Sequence, residues 1–396
     1  MNGKEDSVIE RLRSYLKIPS VHPDVDYSGC VKFLQDQAKS LGLPVAVYEF
    51  VPKKPVVIIT CKGLQPELPS ILLNSHMDVV PVYEEHWTHP PFEAVISKDG
   101  WIYARGAQDM KSIGMMHLEA VRSLRKSGSP LRRTVHISFV PDEEIGGVDG
   151  MKKFSESPEF KALNIGFALD ESIPSGSANE VLAYNGERIF RAIKVTCRGE
   201  PGHGSLLNTN TAGEKVHYII NKFSQFRESE RKKLEYGKAI GDVITVNLTI
   251  MEGGVQFNVL PESLSVSFDM RIPPDADLDY IEYMIQSWCK EAGSDVSFEY
   301  HVKNPHVNST KIDGSVPFWT AIEAAASDLK IKINTVTSAG ATDARYVRLQ
   351  GIPAINFSPI LNVPMLLHAH DERIHIDSYR RGIEIMTRVV KEVANV

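Results

Sequence analysis

Cysteine is scarce: Cys30, Cys61, Cys197 and Cys289 are the only four in 396 residues. No two share CxxC spacing, which argues against a disulfide framework and against a thiolate-bound metal, and points to reduced thiols in a cytoplasmic protein. Long apolar runs are missing as well. No stretch approaches the ~18 apolar residues of a membrane span. Positive charge is not in excess. Lys and Arg number 44 against 50 Asp and Glu, a formal net charge of −6, and the basic residues are scattered. Neither nucleic acid nor an anionic membrane surface is an expected partner. The opening residues Met1-Asn2-Gly3-Lys4-Glu5-Asp6 contain no apolar signal region, so secretion is not expected. Internal repeats and low-complexity segments are absent too.

What is present is an apolar content of 42% in a chain long enough for two domains. Ser7-Val8-Ile9-Glu10 fits a capping box opening a helix that ends before Pro19. A second helix is predicted from Gly29 to Leu41, with Gly42 as its cap. Strands follow at 45–50, 56–61 and 71–74, the last running into Ser75-His76-Met77-Asp78. Helical spacing resumes over 112–126, just after Asp109. The run from Val135 to Val140 is rich in β-branched and aromatic residues. It stops at Pro141 before three consecutive acids, Asp142, Glu143 and Glu144. Another strand, 165–169, ends in Asp170-Glu171. From about 189 to 305 the order is strand, helix, strand, strand, helix, strand, the split βαβ order of a ferredoxin-like unit. That segment is read as an insertion between 1–188 and 306–396.

Apolar strands thus deliver a metal-competent residue again and again at their ends, where open α/β sheets hold their active sites. The collected candidates are His76, Asp109, Glu144, Glu171 and a late histidine from Leu367-His368-Ala369-His370-Asp371-Glu372. Imidazole with carboxylate oxygen suits zinc, whereas an all-oxygen set suits magnesium or calcium. Five ligands are too many for one catalytic zinc with an open position. They suffice for two if one carboxylate bridges. Asp109, from the middle of the set and at a helix entrance, is the natural bridge. In His76-Met77-Asp78 the extended spacing returns Asp78 to the face of His76, where it could accept the other ring N–H. Of the adjacent glutamates, one is expected to be a ligand and the other a base. Asp142 receives no role. Singly, each of these residues is more often a core histidine, a helix cap or a surface acid. Their joint occurrence at strand ends carries the reading.

Ser75-His76-Met77-Asp78-Val79-Val80-Pro81, Arg105-Gly106-Ala107-Gln108-Asp109-Met110-Lys111, Glu143-Glu144-Ile145-Gly146-Gly147 and Gly202-His203 resemble the motif series of the co-catalytic zinc aminoacylase and exopeptidase family. That family includes glutamate carboxypeptidases and carnosinases. The similarity covers nearly the whole chain in matching order and is strongest toward the aminoacylase branch. It implies a mixed-sheet α/β, zinc-exopeptidase-like catalytic domain made of 1–188 and 306–396, and a ferredoxin-like lid and dimerisation domain made of 189–305. It assigns His76, Asp109 and Glu171 to one zinc, and Asp109, Glu144 and His368 to the other. His368 is preferred to His370 because it stands four residues before Glu372. Glu143 becomes the general base, with Asp78 behind His76.

The resemblance further implies that His203, in Pro201-Gly202-His203-Gly204, reaches the site of a neighbouring subunit in a homodimer. Arg345 and Asn258 would bind the substrate carboxylate, with Arg271 a weaker candidate. Two changes, Ser172 after Glu171 and Gly204 after His203, depart from the commoner residues and bear on the acyl pocket. The expected reaction is zinc-dependent hydrolysis of N-acyl-L-amino acids, with Glu143 moving the proton. A zinc dipeptidase or carboxypeptidase is the nearest alternative. A non-catalytic scaffold is a third, which the intact ligands and base disfavour.

Overall fold

Alternating burial along the strands decides where the layers go. In the computed structural model, which describes residues 5–396, Val57, Ile59 and Cys61 of the strand Lys54–Cys61 join one apolar cluster while Val56 and Ile58 join another. This sheet is therefore covered on both faces. It has eight strands in the order Val45–Val51, Lys54–Cys61, Val135–Val140, Ser70–His76, Ile165–Asp170, Ala354–Phe357, Glu180–Glu187 and Lys332–Ser338. The central strand Ser70–His76 runs parallel to Val135–Val140 and to Ile165–Asp170, and Ala354–Phe357 is parallel to the latter. Val45–Val51 pairs antiparallel with Lys54–Cys61, Lys54–Cys61 with Val135–Val140, and Ala354–Phe357 with Glu180–Glu187. Parallel central strands share a carboxyl-terminal edge. His76 stands in register with Val140, so the residues after Val140 and Asp170 emerge beside it.

The chain divides into two units. The first comprises Met1–Asn185, Thr310–Val336 and Thr342–Val396, and the second Gly186–Ser309 with Thr337–Ala341. The second unit thus takes in residues on both sides of the 189–305 boundaries read from the sequence, and a short return at 337–341. Its sheet has the order Thr245–Gly253, Ser263–Ile272, Ile189–Arg198 and Val296–Lys303, with every pair antiparallel. Ile193, Val195 and Cys197 pack with Val216, Ile219 and Phe223 of the helix Ala212–Glu235 and with Ile281 and Ile285 of the helix Leu278–Ala292. The third strand lies between the first two, as a split βαβ requires.

Several local expectations are revised. The first helix already runs at Glu5, so Ser7 lies inside it and is not its cap; residues 1–4 of the opening segment lie outside the described residues. A full capping box occurs instead at Thr211 and Glu214. Glu180–Glu187 is a strand that the sequence reading passed over. Residues 148–155 form short helical turns broken at Gly150, whose backbone is non-helical (φ −103°, ψ −110°) and where a side chain would collide with the Pro141 carbonyl. Gly42 caps the second helix in a left-handed conformation (φ 62°). All four cysteines are buried and unpaired. Among the described residues, no helix is long and apolar enough to cross a membrane.

Candidate metal centre

His76 closes a fully buried strand and is itself only 1% exposed. Its Nε2 lies 3.1 Å from Asp109 Oδ1 and 3.5 Å from Glu171 Oε1. The other oxygen of Asp109, Oδ2, is 3.1 Å from His368 Nε2, and that nitrogen is also 3.1 Å from Glu144 Oε2. Asp109 therefore stands between two imidazoles with one oxygen turned to each. Ligand atoms of His76, Asp109 and Glu144 lie within 4.8 Å of one another, as do those of His76, Glu143 and Glu171. His370 faces elsewhere: its ring centroid is 5.1 Å from that of His86 and 6.4 Å from that of Tyr83.

Asp109 does not cap the following helix, which begins at Lys111 with Met110 as its cap residue. Its backbone is fixed by Glu372 instead. The Glu372 carboxylate is fully buried and accepts hydrogen bonds from the amides of Gly106 (3.2 Å), Gln108 (2.6 Å) and Asp109 (3.1 Å) and from Arg105 Nη1 (2.7 Å). Arg105 Nη1 also donates to the Ala369 carbonyl at 3.2 Å. One acid thus ties the bridging residue to the chain that carries His368.

Asp78 corrects an expectation. His76 Nδ1 donates to the Asp78 backbone carbonyl at 2.9 Å, while its carboxylate is 3.5 Å away. That carboxylate is engaged elsewhere. It accepts from the amides of Glu143 (3.2 Å) and Glu144 (3.0 Å) and lies 2.9 Å from His22 Nε2. Asp142, left without a role from sequence, adopts a left-handed backbone (φ 62°) and anchors the same loop. It accepts from the Tyr27 hydroxyl (2.7 Å), its own amide donates to that oxygen (3.0 Å), and Lys54 Nζ lies 2.6 Å from its Oδ2. The tight turn then needs glycine. A side chain at Gly147 (φ 62°) would meet Asp343 Oδ1 at 2.2 Å.

The donor set calls for a cation. Burial, with the charges of neighbouring acids, pushes the Glu143, Glu144 and Glu171 carboxyls up. Burial acts the same way on Asp109, but hydrogen bonds from His368 and His76 outweigh it and hold that carboxyl below the usual carboxylate range. Hydrogen bonds to Asp109 and Glu144 push His368 up to about 10. His76 is raised as well, because Glu171 and Asp109 outweigh its burial. Three glutamates and two imidazoles around the ionised Asp109 are thus all raised in proton affinity for want of positive charge. Glu144 Oε1 is buried with no hydrogen-bond partner. Two imidazoles, three carboxylates and an orphaned oxygen fit divalent metal, with one carboxylate placed to bridge.

Arg345 is in the same unit. It donates to the Gly146 carbonyl at 2.6 Å, two residues after the acidic pair, and lies over the Tyr346 ring at 4.6 Å. The second unit holds His203 and Asn258 as neighbours. Gly202–His203 pairs with Val259–Leu260 in a two-stranded ribbon, and the Gly204 amide donates to the Asn258 carbonyl at 2.8 Å. Both side chains are exposed. His203 Nδ1 is 2.7 Å from Ser205 Oγ. Arg271 donates to both carboxylate oxygens of Asp269, at 2.9 Å each, and lies 4.0 Å over Phe190, which commits it within its own unit. Sequence reasoning missed His22, Tyr27 and Lys54, and used Glu372 only as a spacing marker. The one available signal was that Asp142 and Glu372 are acids in motif segments with no chemistry of their own.

Residues 72–392 match the description Peptidase family M20/M25/M40. The chain belongs to this family and is a metal-dependent amidohydrolase. It is 45% identical over 393 residues to aminoacylase-1 of Sus scrofa, covering 99% of this chain and 96% of that one. It is 44% identical to aminoacylase-1 of Homo sapiens, over 99% and 97% of the two chains. The fold is also that of a dinuclear metal binding peptidase of the M20 family from Bacillus subtilis, with a TM-score of 0.69, 17% identity and 99% and 98% of the chains covered.

Proposed function

We propose that this site hydrolyses the amide bond of N-acyl-L-amino acids, releasing a carboxylate and a free amino acid, and that zinc is the metal it uses. The observation that carries the reading is Asp109 with one oxygen to His76 and the other to His368. His76, Asp109 and Glu171 would hold one ion, and Asp109, Glu144 and His368 the other. Bound there, the metal supplies Lewis acidity to the attacking water and the scissile carbonyl. Glu143 takes a proton from that water and returns it to the leaving amine. Burial raises its proton affinity, which suits a group that must both accept and donate. Asp78 fixes the two glutamates through their amides, which keeps the base beside the metal ligand. Arg345, a forked donor next to the Glu143–Gly147 loop, binds the substrate carboxylate, and Asn258 is a second candidate for that role by its place in the family's motif series.

A homodimer formed through the second unit is part of the same reading. The strand Thr245–Gly253 is an edge strand, and it exposes Leu248 (40%), Ile250 (52%) and Met251 (63%). An open apolar edge of that kind is suited to pairing with another chain. His203 on its exposed ribbon then supplies a donor for the oxyanion in the partner subunit. The four unpaired cysteines support a cytoplasmic location. The test is a rate comparison between N-acetyl-methionine and unblocked dipeptides with zinc restored. Faster turnover of the acylated amino acid is expected. Preferential turnover of dipeptides would overturn the substrate assignment in favour of a dipeptidase.

A further inference from the structure

The Glu143–Glu144 loop is braced by a segment that lies before the residues matched to the family, at the start of the chain. Residues 20–22 run alongside 77–79. The Ser20 hydroxyl donates to the Met77 carbonyl (2.6 Å), the Val79 amide to Ser20 (2.9 Å) and the His22 amide to Val79 (3.2 Å). Lys111 Nζ, fully buried, ties the segment further by donating to the Ile18 carbonyl (2.6 Å). These bonds deliver His22 to Asp78, with Nε2 2.9 Å from Oδ2 and the side chain only 9% exposed.

An ionised carboxylate accepts and cannot donate, so His22 Nε2 must carry the proton in this contact. Asp78 then has three donors around it: His22 and the Glu144 amide on Oδ2, and the Glu143 amide on Oδ1. Without His22 the two amides alone would orient a buried carboxylate, and its rotation would move the backbone of the base and of its neighbouring ligand together. Tyr27 and Lys54 brace Asp142, one residue upstream, from the same side.

We propose that His22 is a positioning residue for the reaction. Through Asp78 it holds the backbone of Glu143 and Glu144, and so the distance and angle at which Glu143 meets the attacking water. The inference rests on the hydrolytic reading above for its kinetic consequence, and on the hydrogen bonds alone for its structural one.

The experiment compares His22→Asn with His22→Gln in the full-length, metal-loaded protein. The glutamine amide nitrogen reaches close to the position of Nε2. The asparagine nitrogen mimics Nδ1 and leaves Asp78 short of a donor. For His22→Asn the expected results are a fall in kcat of about 10–100-fold on N-acetyl-methionine, a KM within about twofold and an unchanged metal content. Hydrogen exchange should be faster in the peptide spanning 141–147. His22→Gln should recover kcat and exchange protection to within a few-fold. Equal impairment of both variants, a kcat for His22→Asn within twofold of the parent, or a loss that tracks missing metal would each overturn the proposal. The exchange measurement stands apart from the chemistry. If the parent does not turn over N-acyl amino acids, unaltered exchange in His22→Asn still refutes the role, and accelerated exchange that His22→Gln reverses still supports it.

Discussion

The acids around His76 and the ribbon bearing His203 both carry candidate functional residues, yet they are built in opposite ways. In the first unit almost every chemical group is held by another group that has no chemistry of its own. Asp109 hangs from Glu372, the Glu143–Glu144 amides from Asp78, and Asp142 from Tyr27 and Lys54. In the second unit His203 and Asn258 are exposed, on and beside a ribbon two residue pairs long, and the His203 ring meets its near neighbour Ser205. The difference teaches where the chain spends its supporting contacts: on the cluster of candidate ligands and base, where a misplacement of ~1 Å would be costly. The ribbon residues have no comparable frame.

Substitutions on the two sides should therefore behave differently. The largest effect is expected from Glu143→Gln, which removes the proton carrier without disturbing the fold: kcat should fall by about 10²–10⁴-fold, with metal content and thermal midpoint unchanged. A rate within tenfold of the parent would remove Glu143 from the mechanism. Next comes Glu372→Leu. It strands the buried Arg105 guanidinium and should cost about 3–5 kcal/mol of stability in denaturant titration, together with loss of metal, because Asp109 and His368 lose their shared anchor. His203→Ala should sharpen the contrast by lowering kcat by about 10²–10³-fold at unchanged stability. If its thermal midpoint fell as far as that of Glu372→Leu, the distinction between braced and free regions would fail.

The smallest expected effect concerns a buried group outside both regions. His117 is fully buried in the helix Lys111–Lys126, neither ring nitrogen has a hydrogen-bond partner, and burial depresses it to about 3. The unfolded chain binds a proton there near pH 6.5 and the folded chain does not. Stability should fall as pH drops from about 6.5 toward about 3, by about 2 kcal/mol between pH 7 and pH 5. In His117→Leu that part of the acid slope should vanish, which urea titrations at the two pH values will detect.

Much of the first unit was legible because strand periodicity is local. His76, Val140 and Asp170 end apolar runs, and parallel pairing brings such ends to one edge. The helix and strand order of the second unit was legible for the same reason. The bracing was not. Tyr27 meets Asp142 across 115 positions and His22 meets Asp78 across 56, and no periodicity signals a single side-chain contact. Asp78 shows why spacing misleads at a strand end. The His-x-Asp alternation predicts a carboxylate on the histidine, but once the chain leaves the strand at His76 the carbonyl of Asp78 takes that place. Glu180–Glu187 was missed because Asn185 and Gly186 interrupt its apolar pattern.

The bond from the Asp109 amide to Glu372 spans 263 positions. A ribosome adding about 5–20 residues per second needs on the order of ten to fifty seconds to traverse that interval. Throughout it the nascent chain displays His76, Asp109 and, later, the three acids at 142–144, while the acceptor that sets Asp109 and the second histidine have not yet been made. Assembly of the site is therefore a late event in biosynthesis, and a chain arrested before residue 368 offers acids to passing cations without the frame that turns them into a catalyst.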